Sequence, residues 1–151
     1  MSGTKKGKIT QIGILVWDIE KATAAWKKFL GVEPILAETA EYNVTGATYG
    51  KNPCYGMIKQ AMFNIENTQI ELISPSNDEA SVWRDCLEKN GEGLHHIAFL
   101  TDNSDESVEE LEKDGYPVMQ FGYWPDEPKN GKYTYVDARD GLKTIVELLE
   151  C

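Results

Sequence analysis

Basic residues are scarce in this 151-residue chain: 15 Lys and Arg stand against 25 Asp and Glu, a net charge of −10. That surplus of acid opposes binding to nucleic acid and to anionic lipid, so a phosphate-bearing partner would need a local basic patch. Cysteine is scarce too. Cys54, Cys86 and Cys151 form an odd set with no C-x-x-C spacing, which excludes a disulfide framework and a thiolate zinc site and fits a reduced, cytoplasmic setting. No run of 18 apolar residues occurs, so no membrane-spanning helix is expected. The charged opening stretch lacks the apolar core of a secretion signal, and residues 1–7 read as a loose tail. What is present suffices for a packed core: 41% hydrophobic and 10% aromatic residues exclude a disordered chain. The length fits one compact domain, spanning residues 8–151.

Ile9 to Val16 is apolar on both faces and predicts a buried strand. Asp18 then caps a helix with apolar positions at Ile19, Ala22, Trp26, Phe29 and Leu30, stopped by Gly31. From Glu33 to Gly56, glycines and Pro53 interrupt the pattern, leaving one or two short strands. Strands are expected at Met57–Asn64 and Thr68–Ser74, followed by a helix over about 78–90 with Val82, Trp83, Cys86 and Leu87 inward. The order then restarts. Leu94–Leu100 reads as a strand, and Asn103 or Ser104 caps a helix with Val108 and Leu111 inward. Further strands are expected at Pro117–Phe121, Tyr133–Asp137 and Thr144–Leu149.

Each half is thus strand, helix and about three strands. Gln11-Ile-Gly-Ile-Leu lies over His96-Ile-Ala-Phe-Leu, and Thr68-Gln-Ile-Glu-Leu-Ile over Thr144-Ile-Val-Glu-Leu-Leu. Repeats of this kind decide a fold early. The offset is 85 residues at the first pair and 76 at the second, placing extra chain in the irregular first half. Gln11 and His96 therefore open equivalent strands, and Glu71 and Glu147 sit within equivalent strands. Gly13 beside Gln11 and Ala98 beside His96 are small, leaving room for a bound atom. Two carboxylates flanked by aliphatic residues need partners when buried. A divalent cation held by Gln11, Glu71, His96 and Glu147 is an economical one, and the oxygen-rich set suits an octahedral ion with open positions.

Across about residues 8–150 the chain resembles the vicinal oxygen chelate, or glyoxalase-fold, superfamily. The likeness is nearest to methylmalonyl-CoA epimerases, through Ser76–Ser81, Gly91-Glu-Gly-Leu-His-His-Ile-Ala-Phe99 and Asp126–Lys129. The resemblance implies an α+β fold of two tandem βαβββ modules, about residues 8–76 and 93–150, forming one eight-stranded half-open barrel around an ion, commonly in a homodimer. Residue by residue it places the ligands at Gln11, Glu71, His96 and Glu147. Gln11 departs from the His usual in epimerases, and the resulting set looks like that of zinc-dependent glyoxalase I. Leu15 and Pro75 depart from that enzyme's glutathione positions, and the epimerase's second base falls near Lys59.

The function expected is proton abstraction next to a carbonyl with a metal-stabilised enolate, in an isomerase, epimerase or lyase acting on a thioester or hemithioacetal. The ion is one of Zn, Ni, Co, Mn or Mg. Glu147 is the expected general base and Glu71 a ligand or partner base. Lys59 or Gln60 could contribute from the opposite side, and Lys129, Lys132, Arg139 and Lys143 could meet a CoA phosphate or carboxylate, the competing reading for both sets being a solvated surface. The alternative is a non-catalytic binding protein of the antibiotic-sequestering type, stacking a ligand on Trp17, Tyr49, Tyr55, Tyr123 and Trp124. A ring-cleaving dioxygenase is disfavoured. Gln11 stands in place of a His, and His95, next to His96, is expected on the opposite face of its strand.

Overall fold

The computed structural model describes residues 4–39, 46–123 and 131–150, with side chains from Lys8 onward. Ten strands and three helices follow one another: β1 (Thr4–Leu15), α1 (Ile19–Leu30), β2 (Ile35–Glu38), β3 (Thr48–Tyr49), β4 (Asn52–Pro53), β5 (Ile58–Ile65), β6 (Thr68–Pro75), α2 (Val82–Asn90), β7 (Gly93–Thr101), α3 (Ser104–Lys113), β8 (Val118–Tyr123), β9 (Lys132–Asp137) and β10 (Ile145–Glu150). All strands join one open sheet ordered β2-β5-β6-β1-β7-β10-β9-β8-β3-β4. The fold is a sheet-dominated α+β arrangement of ten strands where eight were expected. The additions are β3 and β4, a two-by-two ribbon within the irregular stretch that pairs onto β8. The first strand is also longer than expected, because the backbone from Thr4 is already strand and pairs with Thr101.

Eight of the strands fall into two sets with the same internal order. In each set the first strand pairs in parallel with the last, β1 with β6 and β7 with β10. The two sets meet where β1 and β7 run antiparallel. The pseudo-equivalence read from Gln11/His96 and Glu71/Glu147 is therefore built into the strand order.

Each helix begins on a side-chain cap, which supplies an acceptor to an otherwise unpaired first-turn N–H. Asp18 accepts from Lys21 N, Ser81 from Arg84 N and Asn103 from Glu106 N. Gly31 closes α1 in the left-handed conformation at φ 68°. The linking helix starts at Val82, later than the expected 78, because Ser81 is its cap.

The helices divide the two faces of the sheet. α1 packs Ile19, Ala22, Trp26 and Leu30 against Ala61, Phe63, Ile70 and Leu72. Phe29, expected inward, is 80% exposed and stands at right angles to the Trp26 ring, since the four inward positions already complete the stripe. α3 covers the equivalent face of the second set with Val108 and Leu111 over Val136, Val146 and Leu148. On the opposite face, α2 places Val82, Trp83, Cys86 and Leu87 against Leu15, Ile58, Ile73, Tyr135 and Ile145. Side chains two apart share a face. Leu15, Ile73 and Ile145 therefore lie beside Gly13, Glu71 and Glu147, and α2 closes one end of the face that carries the carboxylates. No helix among the described residues is long and apolar enough to cross a membrane.

Candidate functional site

Strand register converges the four site positions. On β1, Gly13 pairs with Glu71 of β6 on one side and His96 of β7 on the other. On β7, Ala98 pairs with Gln11 on one side and Glu147 of β10 on the other. Gln11, Glu71, His96 and Glu147 all point to the face closed by α2, and all are buried. His96 is the hub: its Nε2 lies 3.0 Å from Glu147 Oε2, 3.1 Å from Gln11 Oε1 and 3.6 Å from Glu71 Oε1. The four side chains meet at one point.

Each is held from behind. Gln11 Nε2 donates to Gln69 Oε1 at 2.7 Å, and Gln69 Nε2 donates to Asn64 Oδ1, so the carbonyl oxygen of Gln11 is the end turned inward. Glu71 Oε2 accepts from Gln60 Nε2 at 2.7 Å. The space beside Gly13, expected to leave room for a bound atom, is filled by the His96 ring, and a Cβ there would collide with that ring.

Two acceptors are left over. Glu71 Oε1 and Glu147 Oε2 are buried without a hydrogen-bond donor, and the nearest charged group to both is His96 Nε2, at 3.6 and 3.0 Å. Burial, helped by the neighbouring Glu147 charge, pushes the Glu71 carboxyl up to about 7 against the pull of His96, Gln60 and Gln11. Burial of the His96 ring opposes its charge, yet Glu147 and Glu71 together raise it above the usual imidazole value. Burial, with the charge of His96, holds His95 far below that value.

His95 is where the sequence reading fails. The β1–β7 register passes from Gly13↔His96 to Ile14↔Leu94, so His95 is the unpaired residue of a β-bulge. The bulge breaks strict alternation and brings His95 onto the same face as its neighbour, with the two Nδ1 atoms 2.9 Å apart. Tyr135 also belongs to the site. It pairs with Glu147 across β9–β10, and its ring lies 5.4 and 5.1 Å from those of His95 and His96. Hairpin register was its only sequence signal. Burial raises its hydroxyl well above the usual tyrosine value, although Trp83 Nε1 donates to it at 3.1 Å.

Apart from Gln60, the other expected residues that the structure describes have partners or surroundings away from the four. Of the Lys59/Gln60 pair, Gln60 reaches Glu71, whereas Lys59 is exposed and lines a cavity of about 580 Å³ between α1 and β2. Lys132 pairs with Asp105, Arg139 with Asp137, and Lys143 donates to the Asp140 carbonyl. Tyr49 donates to Asp85, while Trp17 and Tyr55 are about half exposed. Tyr123 lies near Lys132, its ring 5.9 Å from the ammonium. Trp124 and Lys129 lie outside the described residues.

Among the described residues, no group of three or more His, Cys, Asp or Glu is spaced to hold a metal ion as it stands, and His96 lies directly against the carboxylates. In kind, however, the donors fit a hard divalent ion. Two carboxylate oxygens lack a donor, an amide oxygen is turned inward by its own hydrogen bond, and an imidazole nitrogen faces all three.

A fold and a carboxylate–imidazole cluster of this kind define a class. Residues 10–135 match the family model of the Glyoxalase/Bleomycin resistance protein/Dioxygenase superfamily, and the chain belongs to that superfamily. Within it, the chain is 30% identical over 147 residues to the ethylmalonyl-CoA/methylmalonyl-CoA epimerase of Cereibacter sphaeroides, covering 94% of this chain and 96% of that one. It is also 29% identical over 144 residues to the uncharacterized protein YqjC of Bacillus subtilis, covering 95% and 91%. A solved methylmalonyl-CoA epimerase in complex with methylmalonyl-CoA and NH4+ shares the fold, with a TM-score of 0.68, 22% identity, and coverage of 99% of this chain and 95% of that one.

Proposed function

We propose that this protein is a divalent-cation-dependent isomerase of the epimerase type, removing and returning the proton on the carbon next to the carbonyl of a small acyl-CoA thioester. The observation that carries the reading is Glu147: a buried carboxylate with an oxygen that no donor holds, facing the one point where Gln11, Glu71 and His96 converge. The 30% identity to an ethylmalonyl-CoA/methylmalonyl-CoA epimerase supports the substrate class. Gln11, Glu71, His96 and Glu147 would hold the cation. When bound, such an ion supplies Lewis acidity toward a carbonyl oxygen and charge stabilisation for an enolate.

The remaining chemistry belongs to the chain. Glu147 accepts the substrate proton at Oε2, the oxygen with no competing hydrogen bond. Glu71 is anchored at Oε2 by Gln60, so only Oε1 faces the site, and it acts as a ligand or partner base. Tyr135 and α2 exclude water from one side, which strengthens every charge interaction inside. The finer architecture belongs to the same reading: residues 8–151 form one cytoplasmic domain, its two modules curve into a half-open barrel, and two copies form a dimer.

A second reading, a non-catalytic small-molecule binding protein, draws on the aromatic lining of the same face. Trp83, Tyr133 and Tyr135 pack ring to ring within about 6 Å of one another. Elemental analysis of the purified protein, followed by deuterium exchange into methylmalonyl-CoA, separates the two. A stoichiometric ion and exchange lost on Glu147→Ala support the enzyme. A protein that takes up no divalent ion and catalyses no exchange sinks it.

A further inference from the structure

The second histidine of the pair is buried and is not used by the proposed chemistry. Its place is set by backbone geometry: the bulge at His95 turns two neighbouring imidazoles toward each other on one face of β7. Their Nδ1 atoms stand 2.9 Å apart, so one carries a hydrogen and the other accepts it. The two polarities differ in consequence. If His95 donates, a neutral His96 carries its own hydrogen on Nε2, the atom facing Gln11, Glu71 and Glu147, and has no lone pair to offer there. If His96 donates, its Nε2 is free for a ligand.

We infer that His95 is a positioning residue: its Nδ1 accepts the Nδ1 hydrogen of His96 and thereby fixes the tautomer that presents the Nε2 lone pair to a cation shared with Gln11, Glu71 and Glu147, in place of the Nε2 contact to the Gln11 oxygen in the cation-free cluster. This rests on the cation reading of the site and adds to it the group that makes His96 a competent ligand. Histidines that bind metals characteristically donate their other ring N–H to a carboxylate, carbonyl or water. Here the acceptor is a second imidazole supplied by the adjacent residue. Gly13 below the His96 ring and Tyr135 beside both rings hold the pair in register. The arrangement has a cost: His95 must carry its hydrogen on Nε2, which is buried with no hydrogen-bond partner among the described residues. A site that keeps such an atom gives something up to place Nδ1 where it is.

The chain contains two histidines, so histidine-selective 15N labelling gives two imidazole spin systems. With zinc added to the full-length protein, His96 is expected to carry its hydrogen on Nδ1 with Nε2 shifted by the metal, and His95 to carry its hydrogen on Nε2. Zinc affinity, measured by competition with a chromophoric chelator, is expected to fall about 10–100-fold in His95→Phe, which keeps a ring but no acceptor. It should recover most of that loss in His95→Asn, whose side-chain oxygen replaces Nδ1 as acceptor. Zinc binding at wild-type strength in His95→Phe, equal loss in both variants, or a zinc-loaded spectrum with the His96 hydrogen on Nε2 would each overturn the assignment. The wild-type spectrum stands even if a variant fails to fold. If the wild-type protein itself takes up no zinc, cobalt or manganese, the cation reading fails and this inference goes with it.

Discussion

The two halves of the sheet share a strand order and differ in what stands behind the carboxylates. In the first half, Gln60 pairs across the hairpin with Ile73, two residues beyond Glu71, and its amide holds Glu71. In the second, Tyr133 occupies the equivalent place opposite Leu149, two residues beyond Glu147, but its hydroxyl is engaged by Gln120 Nε2 at 3.2 Å. Glu71 therefore carries a side-chain amide tether, whereas Glu147 is paired with His96 Nε2 at 3.0 Å. The bulges follow the same logic. Both first strands carry one at the residue preceding the site, Thr10 before Gln11 and His95 before His96, yet Thr10 directs its hydroxyl to the Ala98 carbonyl whereas His95 meets the ring of its neighbour. A duplicated scaffold supplies equivalent positions. Different residues at those positions leave Glu71 anchored by an amide and Glu147 without one, and in the proposed mechanism the first is a held ligand and the second the base.

The largest expected effect tests that division. Glu147→Gln should slow deuterium exchange into methylmalonyl-CoA by about 10²–10⁴-fold, the usual contribution of a general base, with the fold intact. Glu71→Gln should lose less exchange and more metal affinity. Equal losses in both would erase the distinction between the two halves.

The small residues on the paired strands give a second test. Gly13→Ala drives a methyl into the His96 ring and should cost about 1–3 kcal/mol by urea denaturation while abolishing cation uptake. Ala98→Gly, at the equivalent position, removes one buried methyl and should cost about 1 kcal/mol with uptake retained.

Acidity offers a third. Glu71 is raised to about 7 in the fold, so between about pH 4.5 and 7 the cation-free native state binds more protons than the unfolded chain. Its contribution is fully present below that window and is lost as pH rises through it, by no more than about 3 kcal/mol. The raised His96 acts in the same direction. The lowered His95 acts the other way below about pH 6.5, so the Glu71 contribution is read as the difference between two proteins. In thermal melts from pH 5 to pH 8 the cation-free wild type should lose stability relative to Glu71→Gln as pH rises, and added zinc should reverse the loss. A wild type that gains stability relative to Glu71→Gln over that range would contradict the burial argument.

The smallest effect compares the two outer helices. Asp18→Ala and Asn103→Ala each remove one cap and should each cost about 1 kcal/mol, measured by denaturation. A much larger cost at either helix would mean that its cap does more than satisfy the first turn.

The repeated pattern of apolar positions, caps and turn residues was enough to place α1, α3, the long strands and the four converging residues. Those features are local or follow from strand alternation, and duplication ties the local pieces to one another. His95 was misplaced because a bulge depends on how two strands settle against each other, which period-two alternation cannot express. Tyr135 and the tether from Gln60 escaped for a related reason: hairpin register, not sequence neighbourhood, decides which side chain lies behind a carboxylate. The linear order of residues thus determined which groups could meet, through hydrophobic periodicity and the repeat. Only the folded sheet decided their unequal surroundings, because burial and hydrogen bonding depend on every strand that crosses the same face.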